Sequence, residues 1–141
     1  MAKQEILSVS YDASLLLTRE HILEQAGYAV TSSLGMATAL EHCAARRFDL
    51  IVIGHSIPVR DKDMLIAAAK ARCPVPVLSL RRHLDLPNPH ADFSVDAAEG
   101  PEVFLQAVRR ALRGSGKQVS SEPPITAELQ NRPQGKEESN V

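Results

Sequence analysis

Several large classes of protein are excluded by what this chain has little of. It holds two cysteines in 141 residues, Cys43 and Cys73. Two thiols build no disulfide framework, and their spacing offers no metal pair. Both read as small buried hydrophobes in a reducing compartment. No apolar run approaches the length needed to cross a bilayer. Met1 to Glu5 is polar and carries no apolar signal stretch, so a cytoplasmic location is expected. The formal net charge is -1, which leaves no basic excess for gripping a phosphate backbone, so nucleic acid is not an expected partner. There is no G-x-G-x-x-G and no Walker pattern, and Val9 to Ser14 contains no glycine. A nucleotide-cradling enzyme is therefore a poor fit, and no internal repeat is present.

What is there suits one ordinary domain. Hydrophobic residues make up 44% and charged residues 23% of the chain. Up to about Gly114, apolar segments alternate with helical patterns. From there to Val141 the text is polar, with Pro123, Pro124 and Pro133. Such a segment buries too little apolar surface to offset its ordering entropy. The expected division is a domain over residues 1–113 and a disordered polar tail over 114–141, in which the stretch from Pro124 has the look of a docking peptide at most.

Within the domain the pattern is strand then helix. Ile6 to Val9 reads as a strand. Ser14 is placed to cap a helix running to about Ala26, with Leu15, Ile22 and Ala26 inward and Leu16 and Leu17 adding apolar surface beside them; Gly27 ends it. Tyr28 to Ser32 is a second strand, and Met36 to Arg46 a helix burying Ala39, Leu40 and Cys43. Phe48 to Ile53, apolar except for Asp49, has the composition of a strand covered on both faces. Lys62 to Arg72 is helical with Leu65, Ala68 and Ala69 inward. Val75 to Leu80 and Ala91 to Val95 are the last two strands. Pro101 opens a final helix to Arg113, with Phe104, Leu105, Val108 and Leu112 apolar. Alternation of this kind predicts a parallel sheet with helices on both faces and a functional site at the carboxyl ends of the strands.

The strand Ile6-Leu7-Ser8-Val9, the helix end Ala26-Gly27-Tyr28, the run Asp49-Leu50-Ile51-Val52-Ile53 and Pro58 four residues after Gly54 fall at characteristic intervals. Asp61, Ala91-Asp92 and Gly100-Pro101-Glu102 continue the series. In this the chain resembles the receiver domain of two-component response regulators over about residues 5 to 113. The resemblance implies a flavodoxin-like, CheY-like three-layer α/β sandwich with a five-stranded parallel sheet in the order 2-1-3-4-5.

Receiver chemistry requires an acceptor aspartate, an acidic pair that helps it hold Mg²⁺, a hydroxyl and a lysine that meet the phosphoryl group. By the resemblance the acidic pair falls on Ser10 and Tyr11, with Asp12 beyond it where an extra acid that is not a ligand is common. The acceptor falls on Gly54, and the lysine and its proline fall on Ala97 and Ala98. The hydroxyl falls on Ser79, although Pro74-Val75-Pro76 permits a register that puts Arg81 there. Each loss removes several kcal/mol of transition-state stabilisation, on the order expected for such groups. The expectation is a degenerate receiver with no catalytic residue, no metal and no cofactor, acting through protein contacts. Its partner would be a signalling protein such as a histidine kinase or another regulator, or a second copy of the chain, and neither nucleic acid nor membrane. The alternatives are a receiver whose acceptor has moved to His55 or Ser56, and a flavodoxin-like small-ligand binder. Asp61 and Asp63 read as solvated acids, and Arg81, Arg82 and His83 as a solvated basic loop. Pro87 and Pro89, in a short stretch between Ser79 and His90, predict a shortened fourth helix and a changed output face.

Overall fold

The four-residue apolar run Leu50–Ile53 is fully buried, and the rest of the molecule is arranged around it. The computed structural model describes residues 3–72 and 75–116. Cys73 and most of the expected tail, 117–141, lie outside the described residues, including the docking-peptide stretch from Pro124.

The elements in chain order are β1 (Glu5–Ser10), α1 (Ala13–Gln25), β2 (Ala29–Leu34), α2 (Met36–Ala45), β3 (Leu50–Ile53), α3 (Val59–Arg72), β4 (Val77–Arg81), β5 (Phe93–Asp96), a short 3₁₀ turn (Ala97–Glu99) and α4 (Pro101–Gly116). All four strand pairings are parallel, in the order β2-β1-β3-β4-β5. Successive side chains of a strand point to opposite faces, and the core divides accordingly. Leu7, Val9, Ile51, Ile53 and Val77 pack with Ala39 and Cys43 of α2 and Leu65, Ile66 and Ala69 of α3. Ile6, Leu50, Val52, Leu78 and Leu80 pack with Leu23 of α1 and Phe104, Val108 and Leu112 of α4. The result is the expected three-layer sandwich.

Asp49, the one polar residue in the third apolar run, ties the entrance of β3 to β1: its Oδ2 accepts the Glu5 amide at 2.7 Å, and its own amide reaches the Glu5 carbonyl at 2.7 Å. Asp92 serves the other edge, where its carboxylate accepts the Val77 amide at 2.7 Å and pairs with Lys70.

Several local expectations are corrected. The first helix is capped by Asp12, whose Oδ1 accepts the Leu15 amide at 3.1 Å, and Ser14 lies inside it. Its buried stripe is Leu16, Arg19 and Leu23, one step round from the expected face; Leu15 and Ile22 are half-buried and Ala26 is exposed. In three successive leucines periodicity alone does not choose the inward one. The third helix begins at Val59, before the expected Lys62, directly after Pro58. Between β4 and β5 there is no helix at all, where a shortened one was expected; residues 82–92 form turns and bends. Pro87 and Pro89 deny the segment two backbone donors and push the residues before them out of helical geometry. Strand limits shift by one or two residues, and α4 continues to Gly116, past the expected helix end at Arg113. Among the described residues no helix is long and apolar enough to cross a membrane.

The choice of α1 face is testable. Leu23→Ala empties a fully buried site and is expected to lower unfolding free energy by about 2–5 kcal/mol. Leu17→Ala, at a position 56% exposed, is expected to change it by less than about 0.5 kcal/mol. Urea unfolding followed by circular dichroism measures both.

Candidate functional site

In a parallel sheet of this order the crevice beyond the carboxyl ends of the strands, near the β1–β3 switch point, is where chemistry is placed. There β1 ends at Ser10, β3 runs into Gly54, β4 carries Ser79 two residues before its end, and β5 ends at Asp96.

The pair expected at the acidic positions is tied to the loop after β3. Ser10 Oγ and Ser56 Oγ share a hydrogen bond of 2.9 Å, and the Tyr11 amide donates to Ser56 Oγ at 3.0 Å. Ser10 Oγ also accepts the Asp12 amide at 3.0 Å. The Tyr11 hydroxyl points away and donates to Asp61 Oδ2 at 2.9 Å. Partial burial and the Asp61 carboxylate raise the Tyr11 pKa above its ordinary value, so the phenol stays protonated.

Gly54 is buried, and its amide donates to the Val9 carbonyl at 2.9 Å. A Cβ at this position would lie 2.6 Å from Nη1 of Arg19. The space that an acceptor side chain would enter is thus taken by a guanidinium from α1. Arg19 is 8% exposed, and its Nη1 is buried without a hydrogen-bond partner. Burial lowers its proton affinity, and Asp12, at the rim, opposes the shift.

A second cation comes from the opposite face of the sheet. Lys62, on the first turns of α3 and 6% exposed, sends Nζ to Ser79 Oγ at 2.9 Å and to the Leu80 carbonyl at 2.6 Å. This fixes the register left open by the prolines: Ser79 pairs with Ile53 and Ser94 and faces the lysine, whereas Arg81 Nη1 closes the next loop through the carbonyls of His83 and Asp85 at 3.3 and 3.2 Å. Burial lowers the Lys62 pKa first; Asp85 opposes the shift, while Arg19 and Arg82 add to it.

β5 ends at Asp96, one residue before the Ala97 position that the resemblance matches to the lysine. Ala97 is already in the 3₁₀ turn. β5 thus extends one residue beyond the expected Val95, with Asp96 in register with Arg81. Asp96 accepts the Ala98 amide at 2.8 Å through Oδ1 and meets His83 Nδ1 at 2.7 Å through Oδ2. The His83 bond first, then the Ala98 amide, hold its pKa below the ordinary range. His55 keeps Nδ1 buried and unpartnered; burial, then the charges of Arg19, Arg82 and Lys62, push its pKa down.

A hard dication wants carboxylate and carbonyl oxygens. The crevice offers the hydroxyls of Ser10, Ser56 and Ser79 and two buried cations, with Asp12 Oδ1 occupied as a helix cap. Mg²⁺ does not fit this donor set. Among the described residues no group of three or more His, Cys, Asp or Glu side chains could hold a metal ion.

Of the residues singled out by the sequence, Ser10, Tyr11, Gly54 and Ser79 stand at the crevice, and Ala97 lies beside it. Sequence reasoning misses Arg19 and Lys62, and gives Asp96, which it marks as a strand-end residue, no role. The signal for the first two is spacing: Arg19 stands between Leu16 and Leu23, and Lys62 ahead of Leu65, Ile66 and Ala69, each a cation on an otherwise apolar stripe.

No family model matches the sequence, and no curated protein matches it. Solved structures do match. A CheY-like response regulator receiver domain from Methanospirillum hungatei is 21% identical with a TM-score of 0.73, covering 81% of this chain and 97% of that one. The chemotaxis protein CheY4 of Vibrio cholerae is 23% identical with a TM-score of 0.68, over 78% and 99%. The N-terminal domain of a response regulator/sensory box/GGDEF protein from Carboxydothermus hydrogenoformans is 24% identical with a TM-score of 0.70, over 78% and 94%. The fold is therefore the CheY-like flavodoxin fold of response regulator receivers; at these identities the likeness is one of fold.

Two expected outcomes follow from the geometry. Gly54→Asp puts a carboxylate against the end of a flexible side chain that can swing aside. The variant is expected to fold, to keep or raise its melting temperature by giving Arg19 a counter-ion, and to gain no mass with acetyl phosphate. A phosphoryl mass gain in intact-mass spectra of Gly54→Asp is the contrary result. For His55, the folded pKa lies below the ordinary 6.5. Below that pH the unfolded chain binds the proton that the folded one resists, so stability falls as pH drops from 6.5 towards the lowered folded value. Denaturant midpoints of His55→Gln should lose this slope and keep the separate, more acidic one of Asp96.

Proposed function

We propose that this chain is a degenerate receiver of a two-component phosphorelay system, working as a phosphorylation-independent protein-interaction module in the cytoplasm. The observation that carries the reading is Arg19 Nη1 lying where a side chain at position 54 would begin. An acceptor needs a nucleophilic carboxylate and a metal; this crevice presents a cation at the first place and hydroxyls at the second. Lys62 on Ser79 supports the same reading, since it closes the phosphoryl-facing side with an internal bond. Movement of the acceptor to Ser56 is disfavoured by its bonds to Ser10 and Tyr11.

The scaffold that such modules present is intact, and its usual output side is altered. Where receivers carry a helix, residues 82–92 form a loop with Leu84 and Leu86 exposed at 90% and 88%. Neighbouring exposed leucines on a loop suit a docking partner better than open water. The expected partner is a histidine kinase, another regulator or a second copy of the chain.

The test is an NMR titration with Mg²⁺ and beryllofluoride, alongside intact-mass spectra after acetyl phosphate. Unmoved amide signals at residues 10, 54 and 79 and an unchanged mass are expected. Saturable shifts at those residues, or a stable mass gain, overturn the reading.

A further inference from the structure

A cavity of about 220 Å³ opens between α1 and α4 over the carboxyl ends of β3, β4 and β5. Its apolar walls include Ile22, Leu80, Ala97 and Phe104, and its polar lining includes Arg19 and His55. Both of these keep a buried nitrogen without a partner, Nη1 and Nδ1. The cavity also lies at the amino end of α4, a 16-residue helix whose dipole favours negative charge there. Asp96 lines the same space, but its two oxygens are committed to His83 and to the Ala98 amide.

A buried guanidinium nitrogen with no partner is unfavourable, and a carboxylate placed on it would offset that cost. The counter-charge that the described residues set near it is Asp12, at the rim. Lys62, close enough to depress the proton affinity of His55, adds a further positive field. The remaining surface is aliphatic and aromatic. Fixed positive charge at one end of a small apolar cleft matches one ligand chemistry: a carboxylate attached to a compact apolar body. The volume is below the ~300 Å³ at which drug-sized sites begin and suits a compact ligand.

We infer that the α1–α4 cavity is a binding site for a small apolar carboxylic acid, its carboxylate on Arg19 and His55 and its body against Leu80 and Phe104. The inference is independent of whether the crevice can be phosphorylated. The site would give an interaction module an input, because the ligand would touch α1 and the start of α4 together.

The experiment is an NMR titration of the full 141-residue chain with benzoate, benzamide and inorganic phosphate. Benzoate is expected to give saturable shifts at Thr18, Arg19, His55, Ala97 and Phe104. Benzamide, which has the same shape without the charge, should bind at least tenfold more weakly, and so should phosphate, which has charge without the apolar body. Arg19→Met should weaken benzoate at least tenfold. Ala97→Leu, which fills the cavity and leaves Arg19 in place, should do the same and serves if the first variant fails to fold. No saturation by benzoate at about 10 mM, tenfold above the ~1 mM affinity of a weak small ligand, overturns the inference. So do equal binding of benzamide or phosphate, or unchanged binding in a folded variant.

Discussion

Arg19 and Gly54 are one structural feature, and the carboxyl end of the sheet is organised by it. The guanidinium reaches the tip of β3 because α1 presents residue 19 on the same inward stripe as Leu16 and Leu23. It finds room there because residue 54 has no Cβ. A larger residue at 54 would force Arg19 to move, and a neutral residue at 19 would leave Gly54 facing a void. In the sequence the glycine is a missing nucleophile; in the structure it is the space another group occupies. That changes the sign of charge in the crevice. In receiver chemistry negative groups collect a dication. Here positive groups from both faces of the sheet collect at the same strand ends, Arg19 from α1 and Lys62 from α3.

The hydroxyl groups support that arrangement. Ser10 and Ser56 bridge the loops after β1 and β3, so the two segments that would have to open around a metal are bonded to each other. Ser79 is turned to Lys62. Each of these contacts satisfies a buried or half-buried polar group that would otherwise lack a partner. The polar atoms left over are Arg19 Nη1 and His55 Nδ1 beside the α1–α4 cavity, together with Ser8 Oγ and Arg81 Nε elsewhere among the described residues.

Most of the architecture was legible because it rests on periodicity. The buried run at Leu50–Ile53, the glycine after α1 and the proline opening α4 carry their structural reason in the local sequence. The crevice was legible by position: Ser10, Tyr11, Gly54 and Ser79 stand at strand ends that pattern alone defines. What stayed hidden was long-range. Nothing near Arg19 in the chain says that it meets residue 54, and nothing near Lys62 says that it meets Ser79; those contacts exist only once the helices are docked. The β4–β5 segment was read as a shortened helix because its two prolines indicate disruption, and the local sequence does not say how far disruption extends.

The cationic crevice and the lost helix bear on each other through β5. Asp96 ends that strand, fixes the 3₁₀ turn through the Ala98 amide and holds His83 in the loop that replaces the helix. Ala97, next along, lines the cavity beside Arg19, and the same turn delivers the chain to Pro101 and Phe104. The loop bearing Leu84 and Leu86 is thus tied to a wall of the cavity by the buried Asp96 carboxylate, while Arg81 holds it from β4. Receiver chemistry asks for a lysine at this strand end, turned to the phosphoryl group. In this chain the matched position is Ala97, and Asp96 just before it is an acid with its bonds to the loop and to the turn. A ligand in the α1–α4 cavity would touch α1 and the start of α4, and the Asp96–His83 bond links that wall to the loop bearing the leucines.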